Sequence, residues 1–314
     1  MTNIEVDVSA APGFGLHWQS NVPRDLVHRR SMAEVVLASV TRLSHTEFLA
    51  AAQWPCSHPT YPKTPDGRHS PVMVAETARQ LGLAVPQLFL GAGSESHFVI
   101  NDMRLEIDPD REPREVRGAS DVLVRTDFTW NPAAGPQLRS FTIRTEFVHD
   151  GGVFAHCEGS SALLSPAVYR RLRSGAPGLP DCALPEGFVR PHCTEVGAVR
   201  DSDVVIARNP AGDVLIAPCD LRHPYFFDHV AEHVPGILLL EAARQAALLS
   251  RAEQTEAGGG PAPGVVGMRM ETAQFTDWEP LTRIDGTPMG SRFGFTISQG
   301  SLVRARGEIA LRPR

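Results

Sequence analysis

The feature that most constrains the fold is an internal duplication. Two apolar stretches, "PVMVAETARQ" at 71–80 and "GILLLEAARQ" at 236–245, each carry a glutamate followed three residues later by an arginine, and they lie 165 positions apart. The same offset aligns two shorter matches: His58-Pro59 with His223-Pro224, and "MRLE" at 103–106 with "MRME" at 268–271. Several matches at one offset indicate two copies of one supersecondary unit.

The order of elements is the same in both copies. Two apolar strands precede each apolar stretch, and alternating segments with central glycines follow it, which is typical of β-hairpins. The last hairpins align at a shorter offset of 148, with Phe147, Gly152 and Gly159 on Phe295, Gly300 and Gly307. The first copy therefore has 17 additional residues, which we expect in the charged segment 108–121.

Each apolar stretch predicts a long helix, at 71–85 and at 236–251. A helix that is apolar on most faces must be covered on most sides, and the strands that follow it can form that cover. The predicted fold class is α+β, a tandem double hotdog of two antiparallel sheets, each wrapped around one long buried helix. The expected domains are an N-terminal hotdog at 1–165, a linker at 166–183 and a C-terminal hotdog at 184–314. Two unrelated α+β domains would not produce the constant offset.

Composition excludes several classes of protein. A net charge of -6 and a pI near 6.1 argue against sequence-independent binding of nucleic acid, which needs a basic surface. The five cysteines contain no CxxC pair, so neither a disulfide framework nor a metal site is indicated, and no cofactor is expected. No apolar run reaches the roughly 18 residues of a membrane span, and the first residues do not resemble a signal peptide. We therefore expect a cytoplasmic protein without membrane contact.

The two predicted helices carry charge where little is expected. A glutamate and an arginine three residues apart stabilise an exposed helix by only about 0.2–0.5 kcal/mol, whereas burying either one unpaired costs several kcal/mol. The simple alternative is that Glu241 pairs with Arg244, and Glu76 with Arg79, for structure alone. Ionisable groups in apolar surroundings concentrate at functional sites, which favours a role in chemistry.

Residues 223–247, "HPYFFDHVAEHVPGILLLEAARQAA", resemble the dehydratase-type hotdog signature. In that signature a loop histidine and a glutamate five residues after a Pro-Gly form an acid/base pair, and Glu241 occupies the glutamate position. His229 lies six residues before Pro235, however, where the histidine of those proteins lies eight before. This departure argues against simple dehydration.

Four separated motifs resemble the A-factor biosynthesis (AfsA-type) hotdog family more closely. They are "VPRDLVHRRSMAEVVLASV" (22–40), "AAQWPCSHPTY" (51–61), "DGRHSPVMVAETARQ" (66–80) and "FDHVAEHVPGILLLEAARQAA" (227–247). The resemblance implies an acyltransferase that joins a β-ketoacyl chain from an acyl carrier protein to dihydroxyacetone phosphate, in the biosynthesis of a γ-butyrolactone-type signalling molecule.

That reaction needs a base, donors for an oxyanion and a cation for the phosphate. We expect Glu241 as the base and Glu76 as its support, each with a pKa raised by the apolar helix. Arg244 or Arg79 would hold the phosphate. The backbone N–H groups near Gly236 and Ile237 would hold the thioester oxygen.

The active sites of a double hotdog are expected to take residues from both copies. Glu241 would then face the loop of the first copy, where Arg68 and His69 could contact substrate, and Glu76 would face the loop that contains His229. The chain could act as a monomer, which would be a pseudo-dimer of hotdogs, or as a homodimer.

Two other functions stay open at the level of the sequence. A hotdog dehydratase or thioesterase acting on acyl-carrier thioesters would use Glu241 with a histidine and would not need the arginines. A non-catalytic acyl-binding regulatory protein would not need the charged pairs in either helix.

Overall fold

The computed structural model describes residues 15–63, 67–114, 117–131, 137–175, 184–228, 232–254 and 264–312. The chain divides into two compact units, Met1–Leu172 and Arg173–Arg314. The predicted linker 166–183 spans this division, and its residues 176–183 lie outside the described ranges. The predicted domain limits at 165 and 184 stay predictions.

The first unit is an antiparallel sheet with one long helix. Its elements are β1 (Leu37–Arg42), β2 (Glu47–Pro55), α1 (Val72–Phe89), β3 (His97–Ile107), β4 (Ala119–Thr129), β5 (Ser140–His149), β6 (Gly152–Leu164) and α2 (Pro166–Leu172). The strands lie in the order β1-β2-β4-β5-β6-β3, and every neighbouring pair is antiparallel.

The second unit repeats this plan. Its elements are β7 (Ile206–Arg208), β8 (Val214–Ile216), α3 (Gly236–Gln254), β9 (Val265–Thr272), β10 (Thr282–Met289), β11 (Arg292–Gln299) and β12 (Leu302–Leu311). The strands lie in the order β7-β8-β10-β11-β12-β9, which is the order of the first unit element by element. The predicted double hotdog is confirmed.

Both long helices are buried on most faces, as the apolar pattern predicts. Helix α1 packs against β1, β3, β5 and β6, and 13 of its 18 residues are buried. Helix α3 packs against all six strands of its unit, and every residue from Ile237 to Leu249 is buried. Each helix begins next to a proline, Pro71 or Pro235, which suits a position whose N–H has no partner inside the helix.

The matched glycines of the last hairpins have a common steric reason. A Cβ added to Gly159 would lie 2.6 Å from the carbonyl oxygen of Asp102 on β3, and one added to Gly307 would lie 1.9 Å from that of Arg269 on β9. Only glycine allows the strands to approach so closely, which explains why both copies have it at the aligned position.

The predicted location of the 17 additional residues is wrong. The connection from β3 to β4 spans 108–118 and its counterpart spans 273–281, so these two differ little in length. The additional residues lie chiefly in the hairpin of β4 and β5, whose strands are 11 and 10 residues long against 8 and 8 for β10 and β11, and in its connection 130–139. The connection 130–139 contains an Asn-Pro and a Gly-Pro, which are loop signals, so the sequence did offer this location as well as the charged segment 108–121.

Among the described residues, no helix is long and apolar enough to cross a membrane.

Candidate functional site

The carboxylate of Glu76, in the second turn of α1, is completely buried. Arg79 donates to it twice, from Nε and Nη2 at 2.7 Å each, and Gln80 donates from Nε2 at 2.7 Å. Arg29, from the segment before β1, adds a buried ion pair at 2.8 Å. One carboxylate thus meets two guanidinium groups and one amide.

The carboxylate of Glu241 has the equivalent place on α3 and is also buried. Arg244 donates to it from Nε and Nη2, at 2.7 Å each, and Gln245 donates from Nε2 at 2.7 Å. Arg244 also reaches the carbonyl oxygen of Gly197 at 3.3 Å. The two predicted pairs therefore form within their own helices, as a fork of the arginine on the carboxylate.

The two sites differ by one cation. Arg29 follows His28, the left-handed residue that ends a short 3-10 helix at Arg24–Val27. In the second unit the corresponding 3-10 helix ends at left-handed Gly197, and the next residue is Ala198. Glu241 therefore has one arginine partner among the described residues, where Glu76 has two.

The second arginine decides the electrostatics of Glu76. Burial by itself would raise the pKa of this carboxyl, but the charges of Arg29 and Arg79 and the hydrogen bonds from Arg79 and Gln80 outweigh it. The pKa of Glu76 is held well below its ordinary value. The expectation of a raised pKa is wrong for Glu76, because the sequence did not reveal that Arg29 lies beside it.

A glutamine fastens each helix to the segment that leads into the first strand. Gln80 donates to the carbonyl oxygen of Glu34 at 2.7 Å and accepts from the N–H of Val36 at 3.0 Å. Gln245 donates to the carbonyl oxygen of Asp203 and accepts from the N–H of Val205, at 2.9 Å each. Sequence reasoning missed these glutamines, although "ARQ" occurs in both copies.

The histidines of the His-Pro pairs are held in one way in both units. His58 lies 3.2 Å from Glu34, and its Nδ1 accepts backbone N–H groups. His223 lies 3.0 Å from Asp203, and its Nδ1 also accepts backbone N–H groups. Because Nδ1 accepts, we assign the proton of each neutral ring to Nε2, where it can be donated to the carboxylate.

The carboxylate beside His223 is ionised. Burial alone would raise the pKa of Asp203, but the hydrogen bonds from His223 and Arg200 lower it below its ordinary value. This arrangement orients the histidine and accounts for it as part of the scaffold.

The first turns of the two helices differ in their free donors. At α1, Pro71 has no N–H, and the N–H of Val72 donates to the side chain of Ser70 at 3.3 Å. At α3 the corresponding positions are Gly236 and Ile237, whose N–H groups have no acceptor within the described part of the chain. Among the described residues, the N–H groups predicted to hold the thioester oxygen thus lack an acceptor at the second helix, whereas the first helix has one N–H fewer and its next N–H is bound.

Arg68 and His69 are the residues of the first copy that were predicted to contact substrate, and each has a different partner. Arg68 pairs with Glu112 at 3.3 Å. His69 is buried, and its Nε2 lies 2.9 Å from Oγ of Ser120, which also accepts from Lys63 at 2.9 Å. Sequence reasoning missed Lys63 and Ser120, because they lie 57 residues apart.

His229 lies outside the described residues. The expectation that each helix faces the loop of the other copy stays a prediction.

Three possible metal ligands approach one another in the described part of the second unit. The ligand atoms of His192, Cys193 and Asp201 lie within 4.8 Å of one another. The ring of His192 caps a 3-10 helix by accepting the N–H of Thr194, and Asp201 accepts the N–H of Cys193 at 3.3 Å. Capping therefore accounts for this group.

The sequence model of the A-factor biosynthesis hotdog domain matches residues 16–165 and 192–262. A Streptomyces virginiae protein named 2-oxo-3-(phosphooxy)propyl 3-oxoalkanoate synthase is 32% identical over 233 residues, which are 73% of this chain and 76% of that protein. A Streptomyces griseus protein of the same name is 31% identical over 231 residues, 72% of this chain and 74% of its own.

Among solved structures, the 12:0-ACP thioesterase from Umbellularia californica is similar with a TM-score of 0.50. It is 12% identical, and the match covers 85% of this chain and 98% of the thioesterase. At this identity the likeness concerns the fold alone.

Proposed function

This chain belongs to the A-factor biosynthesis hotdog family, and we propose that it is an acyltransferase that joins a β-ketoacyl group to dihydroxyacetone phosphate. The observation that carries the proposal is the similarity to proteins named 2-oxo-3-(phosphooxy)propyl 3-oxoalkanoate synthase, at 32% identity over 73% of the chain. That name describes an ester between a β-keto acid and dihydroxyacetone phosphate. The ester would be a precursor of a γ-butyrolactone-type signal.

The reaction we propose is acyl transfer from the thioester of an acyl carrier protein. The hydroxyl oxygen of dihydroxyacetone phosphate attacks the acyl carbon, a C–O bond forms, and the C–S bond breaks. The hydroxyl proton passes to a base and then to the leaving thiolate. Negative charge develops on the carbonyl oxygen in between and requires donors.

For the oxyanion we propose the first turn of α3. The N–H groups of Gly236 and Ile237 lie at the positive end of the helix and have no acceptor within the described residues. Helix α1 is unsuited to the same task, because Pro71 has no N–H and Ser70 occupies that of Val72.

For the base we propose Glu241, with Glu76 in a supporting role. Both carboxylates are buried, but Glu76 is bound by two arginines and Glu241 by Arg244 alone among the described residues. The charge of the second arginine, Arg29, helps to lower the pKa of Glu76 and makes that carboxylate a poorer base. Because Arg29 binds Glu76 and has no counterpart at Glu241 among the described residues, Glu241 is the better candidate for the base.

For the phosphate we propose Arg244. The fork on Glu241 orients its guanidinium, and Arg79 has the same arrangement on Glu76. Arg244→Lys keeps the charge and loses the planar fork. We expect this variant to raise KM for dihydroxyacetone phosphate and to leave KM for the carrier thioester unchanged in steady-state assays. Unchanged kinetics for both substrates would exclude Arg244 from phosphate binding.

The direct test is product analysis with purified protein. A β-ketoacyl carrier thioester is incubated with and without dihydroxyacetone phosphate, and the products are identified by mass spectrometry. We expect the phosphorylated β-keto ester only when the phosphate is present. Free β-keto acid formed equally in both reactions would indicate a thioesterase and contradict the proposal.

A further inference from the structure

A buried arginine holds the segment that leads into α3. The side chain of Arg173 is 5% exposed and makes an ion pair with Asp277 at 2.5 Å. Its other terminal nitrogen donates to the backbone carbonyl oxygen of Glu232 at 2.5 Å. The guanidinium group thus joins the connection between β9 and β10 to the residues just before the helix.

The segment before α3 is fastened at a second point. The N–H of Val234 donates to the carbonyl oxygen of Thr276 at 2.9 Å. Between the two attachments lies His233, whose ring meets the ring of Phe275 at 5.0 Å, and the guanidinium group of Arg173 lies 5.4 Å from that same ring. Arg173 and the connection 273–281 together hold three successive residues immediately before Pro235 and Gly236.

The anchor at Asp277 is itself firmly held. Gln299, which is 3% exposed, accepts the N–H of Asp277 and donates to the carbonyl oxygens of Asp277 and Pro280. Arg304 approaches the second carboxylate oxygen of Asp277 at 3.6 Å. The attachment made by Arg173 therefore leads to strands β11 and β12.

The segment before α1 is held in another way. Gly67 takes the aligned position of Glu232, and the adjacent Arg68 pairs with Glu112 through side chains. Ser70 then caps the helix itself. Among the described residues, the segment that a buried guanidinium group holds by a main-chain carbonyl is the one before α3. Helix α3 is also the helix whose first N–H groups have no acceptor among those residues.

We propose that Arg173 is a positioning residue for ester formation, which sets the place of residues 232–236 and through them of His233 and the first N–H groups of α3. This inference rests on the proposed function. Because reacting groups misplaced by about 1 Å can lose a hundredfold in rate, loss of Arg173 lowers kcat without removing any group that contacts substrate.

The test compares Arg173→Gln with Arg304→Gln. Both variants remove an arginine beside Asp277, but only Arg173 also donates to the carbonyl oxygen of Glu232. We expect Arg173→Gln to lower kcat by about tenfold to a hundredfold, with KM for both substrates within threefold of wild type. We expect Arg304→Gln to lower the melting temperature and to leave kcat within twofold. Arg173→Lys, which cannot reach both partners from one planar group, should have an intermediate kcat.

Hydrogen exchange provides a second measurement that does not depend on activity. The amides of 232–240 should exchange faster in Arg173→Gln than in Arg304→Gln. Equal exchange in both variants, or a kcat of folded Arg173→Gln within twofold of wild type, would overturn the inference. If Arg173→Gln does not fold, Arg173→Lys decides by the same criteria. If the wild-type protein forms no ester, the proposed function fails, and exchange alone then decides whether Arg173 positions this segment.

Discussion

The two units share one buried framework and differ in what surrounds it. Each central helix presents a carboxylate to an arginine three residues on and to a glutamine four residues on, with the same hydrogen bonds. The first unit adds Arg29 and closes the start of its helix with Ser70 and Pro71. The second unit has Ala198, Pro235 and Gly236 at the corresponding positions. The two copies therefore share the hydrogen bonds among glutamate, arginine and glutamine. They differ in the number of arginines bound to the glutamate and in the N–H donors at the start of the helix.

This difference indicates a division of roles. A carboxylate held by two arginines is suited to stabilising the fold. A carboxylate with a single arginine partner among the described residues, on a helix whose first N–H groups have no acceptor there, is suited to chemistry. Each of the following changes tests the comparison.

Glu241→Gln should have the largest effect. If Glu241 is the base, its loss should lower kcat by about 10²–10⁴-fold, with a modest effect on either KM. The matched variant Glu76→Gln should retain kcat within about tenfold of wild type and should lose stability instead, because two arginines are left with one neutral partner. Steady-state kinetics and urea unfolding of both proteins measure this. Equal loss of kcat in both would abolish the proposed division.

Arg29→Met should destabilise the protein by about 3–5 kcal/mol, the usual cost of removing one partner from a buried ion pair. We expect a value near the lower limit, since Arg79 and Gln80 remain on Glu76. Urea unfolding at pH 7 measures the change. A loss below about 0.5 kcal/mol would mean that Arg29 contributes no more than a surface pair.

Gly236→Pro gives the second helix the feature that closes the first. Proline fits the first turn of a helix, so stability should change little, but one oxyanion donor is lost. We expect kcat to fall by about 10²–10³-fold. Pro71→Gly, which adds an N–H at the aligned position of α1, serves as the control and should leave kcat unchanged. An active Gly236→Pro protein would remove the first turn of α3 from the mechanism.

The pH dependence of stability should show the smallest effect. The pKa of Glu76 is lower in the folded protein than its ordinary value of 4.5, so its ion pairs stabilise the fold above that pH. Their contribution is lost as the pH falls below 4.5 toward the folded pKa. Glu76→Gln should therefore lose less stability than wild type between about pH 5 and pH 3, as measured by urea unfolding. Parallel curves for the two proteins would show that Glu76 titrates normally.

The sequence predicts the fold well because the duplication repeats its signal. A constant offset joins the aligned glutamates, arginines and histidines, and the apolar helices need a surrounding sheet. Features that occur in only one of the two copies are predicted poorly from the sequence. Arg29 lies 47 residues from Glu76, and nothing in its neighbourhood distinguishes it from Arg30.

Other features that the sequence did not predict also occur in only one copy. The additional residues of the β4–β5 hairpin include the Pro/Gly-containing connection 130–139, but the sequence offers a second possible insertion in the charged segment 108–121, and only the strand bounds decide between them. Lys63 and His69 both contact Ser120 of β4, which lies more than 50 residues farther along the chain. Pairs of this kind depend on strand register, which a single sequence does not specify.

The glutamine after each arginine does what a residue of a neighbouring strand would do. In a parallel pair, one residue donates its N–H to a carbonyl and accepts an N–H two residues farther along the partner. The side-chain amide of Gln80 makes this pair of bonds with Glu34 and Val36, and that of Gln245 makes it with Asp203 and Val205. Because successive residues of a helix differ by about 100° in direction, turning either helix by one residue would break both bonds at once. The rotation of each helix about its own axis is therefore fixed by directional bonds as well as by packing, and because the same glutamine also donates to the carboxylate, the direction of the carboxylate is fixed with it.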